Sequence, residues 1–242
     1  MIITIKNEIR NTEDWFKAYP PAGGEKQWKE GFSAYEFAKA VLNDGFEDEL
    51  RQTLGEISLK NASFYPERLT YFDDISSGPR HHDLACVCSL GKEKVAICFE
   101  AKVKESLDTK LSKAMVDNSK SGKSQKPKRV RDLCQKLFGK KYDSETMSDI
   151  YYQMLSGAMG TLAFAYEQNV TKAFFVIYQL VPEKEKDKFK NTISKHKKAI
   201  NSFVQMIDPV YDINKSSIIK LKPYEIKQKL IELNIVYMEH NF

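Results

Sequence analysis

Residues 82–103 read HDLACVCSLGKEKVAICFEAKV: two strand-like runs joined by a polar turn. Side chains alternate faces along a strand. In the second run Val95, Ile97, Phe99, Ala101 and Val103 share an apolar face, while Ala96, Cys98, Glu100 and Lys102 share the other. That second face starts small and ends with an acid and a base. Two charges there need solvent, a partner or a ligand, because burying them unpaired is expensive. A symmetric turn over residues 91–94 pairs Leu90 with Val95, which sets Asp83 opposite Lys102 and Glu100 one diagonal step away on the same face. Opposed Cβ atoms sit about 5 Å apart and diagonal ones about 7–8 Å. Two carboxylates at that spacing can share a divalent cation through oxygen ligands. A one-residue slip of register would send the set to the other face.

On either side of this hairpin the pattern predicts an α/β chain. Ala34, Phe37, Ala38, Val41 and Leu42 recur at helical spacing after Ser33, and residues 47–54 suit a further short helix. Residues 56–81 read as strands and turns, punctuated by Pro66 and Gly78-Pro79. After the hairpin come a polar, low-complexity loop at 119–128, a helix at 130–137 and a long helix at 146–167. A buried strand at 173–181 and an amphipathic, lysine-rich helix at 184–206 follow. The C-terminal part reads as a strand at 218–221, a helix at 223–233 opened by Pro223, and a last strand at 235–238. Residues 1–27 form a loop-rich N-terminal flap. Gly157 and Gly160, with Ala158, Ala163 and Ala165, make a small-residue helix face suited to close packing on the sheet.

The composition supports one folded domain over residues 1–242. Hydrophobic residues make up 42% and aromatic residues 12%, enough for a core and against wholesale disorder. The net charge is +5, but residues 104–141 hold twelve Lys or Arg against four Asp or Glu. That local excess suits a polyanionic partner or a solvated lysine-rich loop. Lys126, Lys128, Arg129 and Arg131 are the candidate phosphate contacts. No signal peptide and no apolar run of membrane-spanning length is expected. Cys86, Cys88 and Cys98 lie in apolar runs and lack zinc-site spacing; with Cys134 they read as reduced thiols of a cytoplasmic protein.

Asp83, sixteen residues, then Glu100-Ala101-Lys102 on one hairpin resembles the Asp…Glu-x-Lys signature of the PD-(D/E)XK phosphodiesterases, the restriction-endonuclease-like superfamily. The order of elements fits too, over about residues 28–181. His82 stands where the superfamily often has proline. A narrower likeness to a bacterial family on this fold runs through residues 28–34 (WKEGFSA), 100–102 (EAK) and 152–155 (YQML), and assigns no substrate. The resemblance implies a mixed central sheet flanked by helices, an αβββαβ core at 28–181, and a C-terminal α/β extension at 182–242. It implies a nuclease that holds Mg²⁺ or Mn²⁺ through Asp83, Glu100 and the Ala101 carbonyl, uses Lys102 on the attacking water or the transition state, and leaves 5′-phosphate and 3′-hydroxyl ends. DNA is the favoured nucleic acid. A homodimer follows from family habit alone.

Four further residues keep two readings each. Glu36 is an added acidic ligand, or it closes a capping box with Ser33. Gln153 lies near the metal or is a polar helix residue. Glu67 reaches the site from the preceding strand or pairs on the surface with Arg68. His81, on the face of Asp83 with His82 on the opposite face, is a proton carrier near neutral pH or incidental. Without a cation, Asp83 and Glu100 should repel each other, so Asp83→Ala should stabilise the metal-free protein. A catalytically inactive nucleic-acid-binding or assembly protein that keeps the fold, in a defence system for example, is the alternative class.

Overall fold

A computed structural model describes residues 2–4, 7–75, 78–116 and 124–242. The elements in order are β1 (Ile2–Ile3), β2 (Glu8–Ile9), α1 (Thr12–Ala18), α2 (Ser33–Leu42), α3 (Phe46–Leu54), β3 (Ile57–Thr70), β4 (Arg80–Leu90), β5 (Glu93–Lys102), α4 (Leu111–Val116), α5 (Lys126–Phe138), α6 (Ser144–Met147), α7 (Tyr152–Glu167), β6 (Lys172–Val181), α8 (Lys186–Ile207), β7 (Ile218–Lys220), β8 (Tyr224–Ile226) and β9 (Lys229–Asn241). Among the described residues, seven strands form one mixed sheet in the order β3-β4-β5-β6-β9-β7, with β8 paired to β9. β3, β4 and β5 run antiparallel, and β5, β6 and β9 run parallel.

Helices cover both faces. Phe37, Val41, Phe46 and Leu50 of α2 and α3 pack with Leu84, Val95, Ile97, Phe99 and Val176 on one side. Met154, Leu155, Ala158 and Leu162 of α7 pack with Ala85, Ala96, Cys98, Phe175 and Ile177 on the other. Strand β5 is thus buried on both faces from Val95 onward, as a strand flanked on one side by a parallel neighbour usually is. The small face of α7 does pack on the sheet: a Cβ at Gly157 would lie 2.1 Å from the Phe175 ring. At Gly160 it would meet His82 Nε2 at 2.6 Å and Thr70 Oγ1 at 2.8 Å.

Four expectations need correction. The N-terminal flap contains a capped helix, α1, whose Asn11 side chain accepts the Asp14 N–H at 2.9 Å and whose Trp15 is buried. The helix expected at 146–167 starts only at Tyr152. Just before it the chain pairs with the segment leading into α4: Leu111 N–H donates to the Ile150 carbonyl and Tyr152 N–H to the Thr109 carbonyl. The helix expected at 223–233 is instead a β-hairpin, turned by Lys227 and Gln228 at φ 47° and 67°. Neither residue type announces that left-handed turn, which usually takes Asn or Gly. Strand β9 then pairs with β6 from Glu232 to Asn241, so the C-terminal segment is part of the central sheet. The low-complexity stretch lies partly outside the described residues (117–123), and its end is helical, because α5 begins at Lys126.

The candidate acid–base site

The hairpin turn is tighter than a four-residue loop. Leu90 pairs with Glu93 across Gly91 and Lys92, and Gly91 sits at φ 58°, the positive angle that two-residue hairpin turns favour at this position. The ladder runs to Leu84 opposite Phe99. Relative to the expected register the partner moves by two residues, not one, so each β5 side chain keeps its face. Asp83 falls beside Glu100 and Ala101 rather than opposite Lys102. Its Oδ2 accepts the Ala101 N–H at 2.7 Å, replacing a ladder bond where the two strands part.

Around Asp83 the alternation breaks. β3 pairs Pro66 with Leu84 and Arg68 with His82, and Glu67 between them has φ 51°. Leu84 faces α2 and α3, yet His82 lies under Gly160 of α7 with its Nε2 3.2 Å from Thr70 Oγ1. The expectation that strict alternation turns His82 away from the α7 face therefore fails. A local irregularity of this kind re-aims side chains at a strand end.

Glu100 is the centre of the group. It is buried, its Oε1 accepts from Lys102 Nζ at 2.5 Å and from Gln153 Nε2 at 2.7 Å, and its Oε2 pairs with Arg80 Nη2. Asp83 adds a second negative charge felt by both Arg80 and Lys102. Burial pushes the Lys102 and Arg80 pKa values down, against the pull of Asp83. Two carboxylates thus face two cations, and the repulsion expected between Asp83 and Glu100 is already neutralised. Arg80 belongs to no motif in the sequence; its only signal is a basic residue three places before Asp83 on the same strand.

Glu67 joins the group. Burial, then the charge of Asp83, pushes its pKa up to about 9. Its Oε2 lies 3.2 Å from His81 Nε2, and burial lowers the His81 pKa. Both shifts favour the uncharged forms, so burial works against an ion pair at this contact. Arg68, the expected partner of Glu67, instead pairs with Glu167 at 2.6 Å.

Other residues stand apart. Glu36 is buried on α2, whose Phe37 packs on the opposite sheet face from Glu100; its carboxylate accepts the Gly31 N–H at 2.8 Å and pairs with Lys39. It forms no capping box either, since the Ser33 N–H donates to Glu105 Oε1. Arg129 is not available to phosphate: its guanidinium is buried against Asp73 through bonds of 2.7 and 2.8 Å. Lys126 is half-buried, 4.6 Å above the Tyr152 ring and 3.7 Å from Asp108. Lys128 and Arg131 are exposed.

For a divalent cation the donor set consists of hard oxygens. Asp83 keeps one oxygen beyond the Ala101 bond, and Gln153 Oε1 is buried without a hydrogen-bond partner. In an extended strand the N–H and C=O of one residue point to the same side, so the Ala101 carbonyl looks towards Asp83. Among the described residues no group of three His, Cys, Asp or Glu is arranged to hold a metal. A cation at Glu100 therefore has to share that carboxylate with Arg80 and Lys102.

The fold and the site together define a mixed α/β protein with a buried acid–base cluster where an antiparallel hairpin meets a parallel strand. Residues 8–241 match DUF6946, a domain of unknown function, and the chain belongs to that family. No curated protein and no solved structure matches it.

Proposed function

We propose that this protein is a metal-dependent phosphodiesterase that hydrolyses nucleic acid, DNA in the first place, on a restriction-endonuclease-like core formed by α2, β3, β4, β5, α7 and β6. One observation carries the reading: β4 and β5 bring Asp83, Glu100 and Lys102 to one strand end, with Asp83 bonded to the backbone between the other two. Helix α7, the last of those between β5 and β6, adds Gln153 to the same carboxylate.

Asp83, Glu100, the Ala101 carbonyl and Gln153 Oε1 would hold Mg²⁺ or Mn²⁺, which favours oxygen donors. When bound, such an ion lowers the pKa of a coordinated water and neutralises charge on the phosphate. Lys102 orients the attacking water and donates to the charge that builds on phosphorus oxygens. Arg80, bonded to Glu100 in the resting site, has the fork geometry to receive a phosphate oxygen as well.

The test is incubation of plasmid, linear duplex and single-stranded DNA with Mg²⁺ or Mn²⁺, wild type beside Lys102→Ala. Cleavage by the wild type and a loss of roughly 10²–10⁴-fold in the variant are expected. No cleavage of any substrate with either cation overturns the reading.

The occupied state of Glu100 favours a second reading, a nucleic-acid-binding or assembly protein without catalysis, in which Arg80 and Lys102 permanently take the place of a metal. Titration calorimetry with Mn²⁺ separates the two: the enzyme shows a heat that Asp83→Asn removes, and the binding protein shows none.

A further inference from the structure

His196, midway along α8, is buried, and both of its ring nitrogens face acceptors. Nδ1 lies 2.5 Å from Gln179 Oε1 and Nε2 lies 2.9 Å from the Glu105 carbonyl. The Gln179 amide cannot be turned round to relieve this. Its Nε2 donates to the carbonyls of Lys102 at 3.1 Å, Val103 at 2.9 Å and Leu180 at 3.1 Å. Reversing the amide would point an oxygen at three oxygens. A neutral imidazole has one N–H and one lone pair, so it would leave one of the two ring contacts with lone pair against lone pair.

We infer that His196 is held as an imidazolium, protonated on both nitrogens, and that it acts as a positioning residue: through Gln179 and the Glu105 carbonyl it fixes the end of the strand that carries Glu100 and Lys102. A buried cation needs a counter-charge, and the Glu105 carboxylate provides one. Burial works to raise the Glu105 pKa, but N–H donors outweigh it and hold the group ionised, including Val103 at 2.7 Å and Ser33 at 3.3 Å. Burial, with Lys102 adding to it, lowers the His196 pKa below the ordinary 6.5 despite the Glu105 carbonyl and carboxylate; that shift speaks for a neutral ring, but the two acceptor contacts decide against it, because they leave a neutral ring no place for its lone pair. From β6 the facing group is the neutral Gln179. On β9, beside Gln179, Glu239 is already paired with Lys197 at 2.8 Å. Among the described residues, Lys102 thus acts against the ring proton and Glu105 acts for it.

The experiment is nitrogen NMR of the full-length protein labelled at histidine, at pH 7.5, with the signals assigned by substituting the other three histidines one at a time. Both His196 nitrogens should resonate as protonated, with two slowly exchanging N–H protons. In Gln179→Leu, which removes the Nδ1 acceptor, the ring should carry one proton, on Nε2, and the Val103 amide should exchange at least tenfold faster. A singly protonated wild-type ring throughout pH 6–8 overturns the inference. So does a ring that stays doubly protonated in Gln179→Leu. The wild-type measurement decides alone if that variant fails to fold. The ring state does not depend on the nuclease reading; only its consequence for cleavage does. An imidazolium in a protein that cuts no DNA upholds the positioning role and removes the nuclease, and cleavage with a neutral ring does the reverse.

Discussion

Glu100 is the residue whose surroundings differ most from those a hairpin pattern predicts. Arg80, Lys102 and Gln153 occupy it, so its removal leaves two buried cations without their nearest anion. Glu100→Ala should lower stability by about 3–5 kcal/mol, the cost of breaking a buried pair from one side, read as a fall in denaturation midpoint. Asp83→Ala should destabilise too, by about 1–3 kcal/mol, because the Ala101 N–H loses its acceptor. This reverses the stabilisation expected from carboxylate repulsion; a higher melting temperature for Asp83→Ala in EDTA would reinstate that repulsion. Glu67 gives a pH-dependent test. Its folded pKa is raised from the ordinary 4.5 to about 9, so the folded state favours the neutral acid. Its contribution to stability is whole below about pH 4.5 and disappears as pH rises through 9. Glu67→Gln, always neutral, should match wild type near pH 4 and melt progressively higher than wild type towards pH 9. A difference that stays constant with pH would show that Glu67 titrates normally.

At the scale of elements, the hairpin and helix α7 fix the site together. The two-residue turn at Gly91-Lys92 sets the register, and α7 delivers Gln153 only because its small face lets it lie close on the sheet. Gly157→Ala would drive a methyl into the Phe175 ring. It should cost about 1–3 kcal/mol as overpacking and weaken the Gln153–Glu100 contact, checked by urea unfolding and by the crystal structure of the variant. An unchanged midpoint would mean that Phe175 moves freely. Elements with a strong local pattern were legible: α2 from its spacing, β4 and β5 from their apolar runs, β6 from its continuous hydrophobicity. The hairpin β8–β9 was not, since residues 223–233 have helical spacing while β9 takes its place in the sheet by pairing with β6, Lys172 opposite Glu232 sixty residues on.

Over the whole molecule, some charges are paired in the interior while others stay exposed. Arg129, expected among the exposed ones, is folded inward against Asp73, whereas Lys128 and Arg131 remain outside. If the protein binds DNA, log affinity should fall linearly with log salt. Lys128→Ala and Arg131→Ala should each reduce the slope by about one, measured by fluorescence anisotropy. Arg129→Ala should instead lower the melting temperature. Slopes unchanged by both surface variants would place the nucleic acid elsewhere. Among the described residues no helix is long and apolar enough to cross a membrane, and all four cysteines are free and buried.

Alternation along β5 was enough to put Glu100 and Lys102 on one face, because a two-residue side-chain period survives a register change of two; the place of Asp83 depended on the strand end, where alternation breaks. The partners of those charges were decided by the tertiary structure alone. Arg80, Gln153, Glu67 and the Gln179–His196 pair reach this strand end from other segments, and no local spacing encodes a contact closed across the sheet.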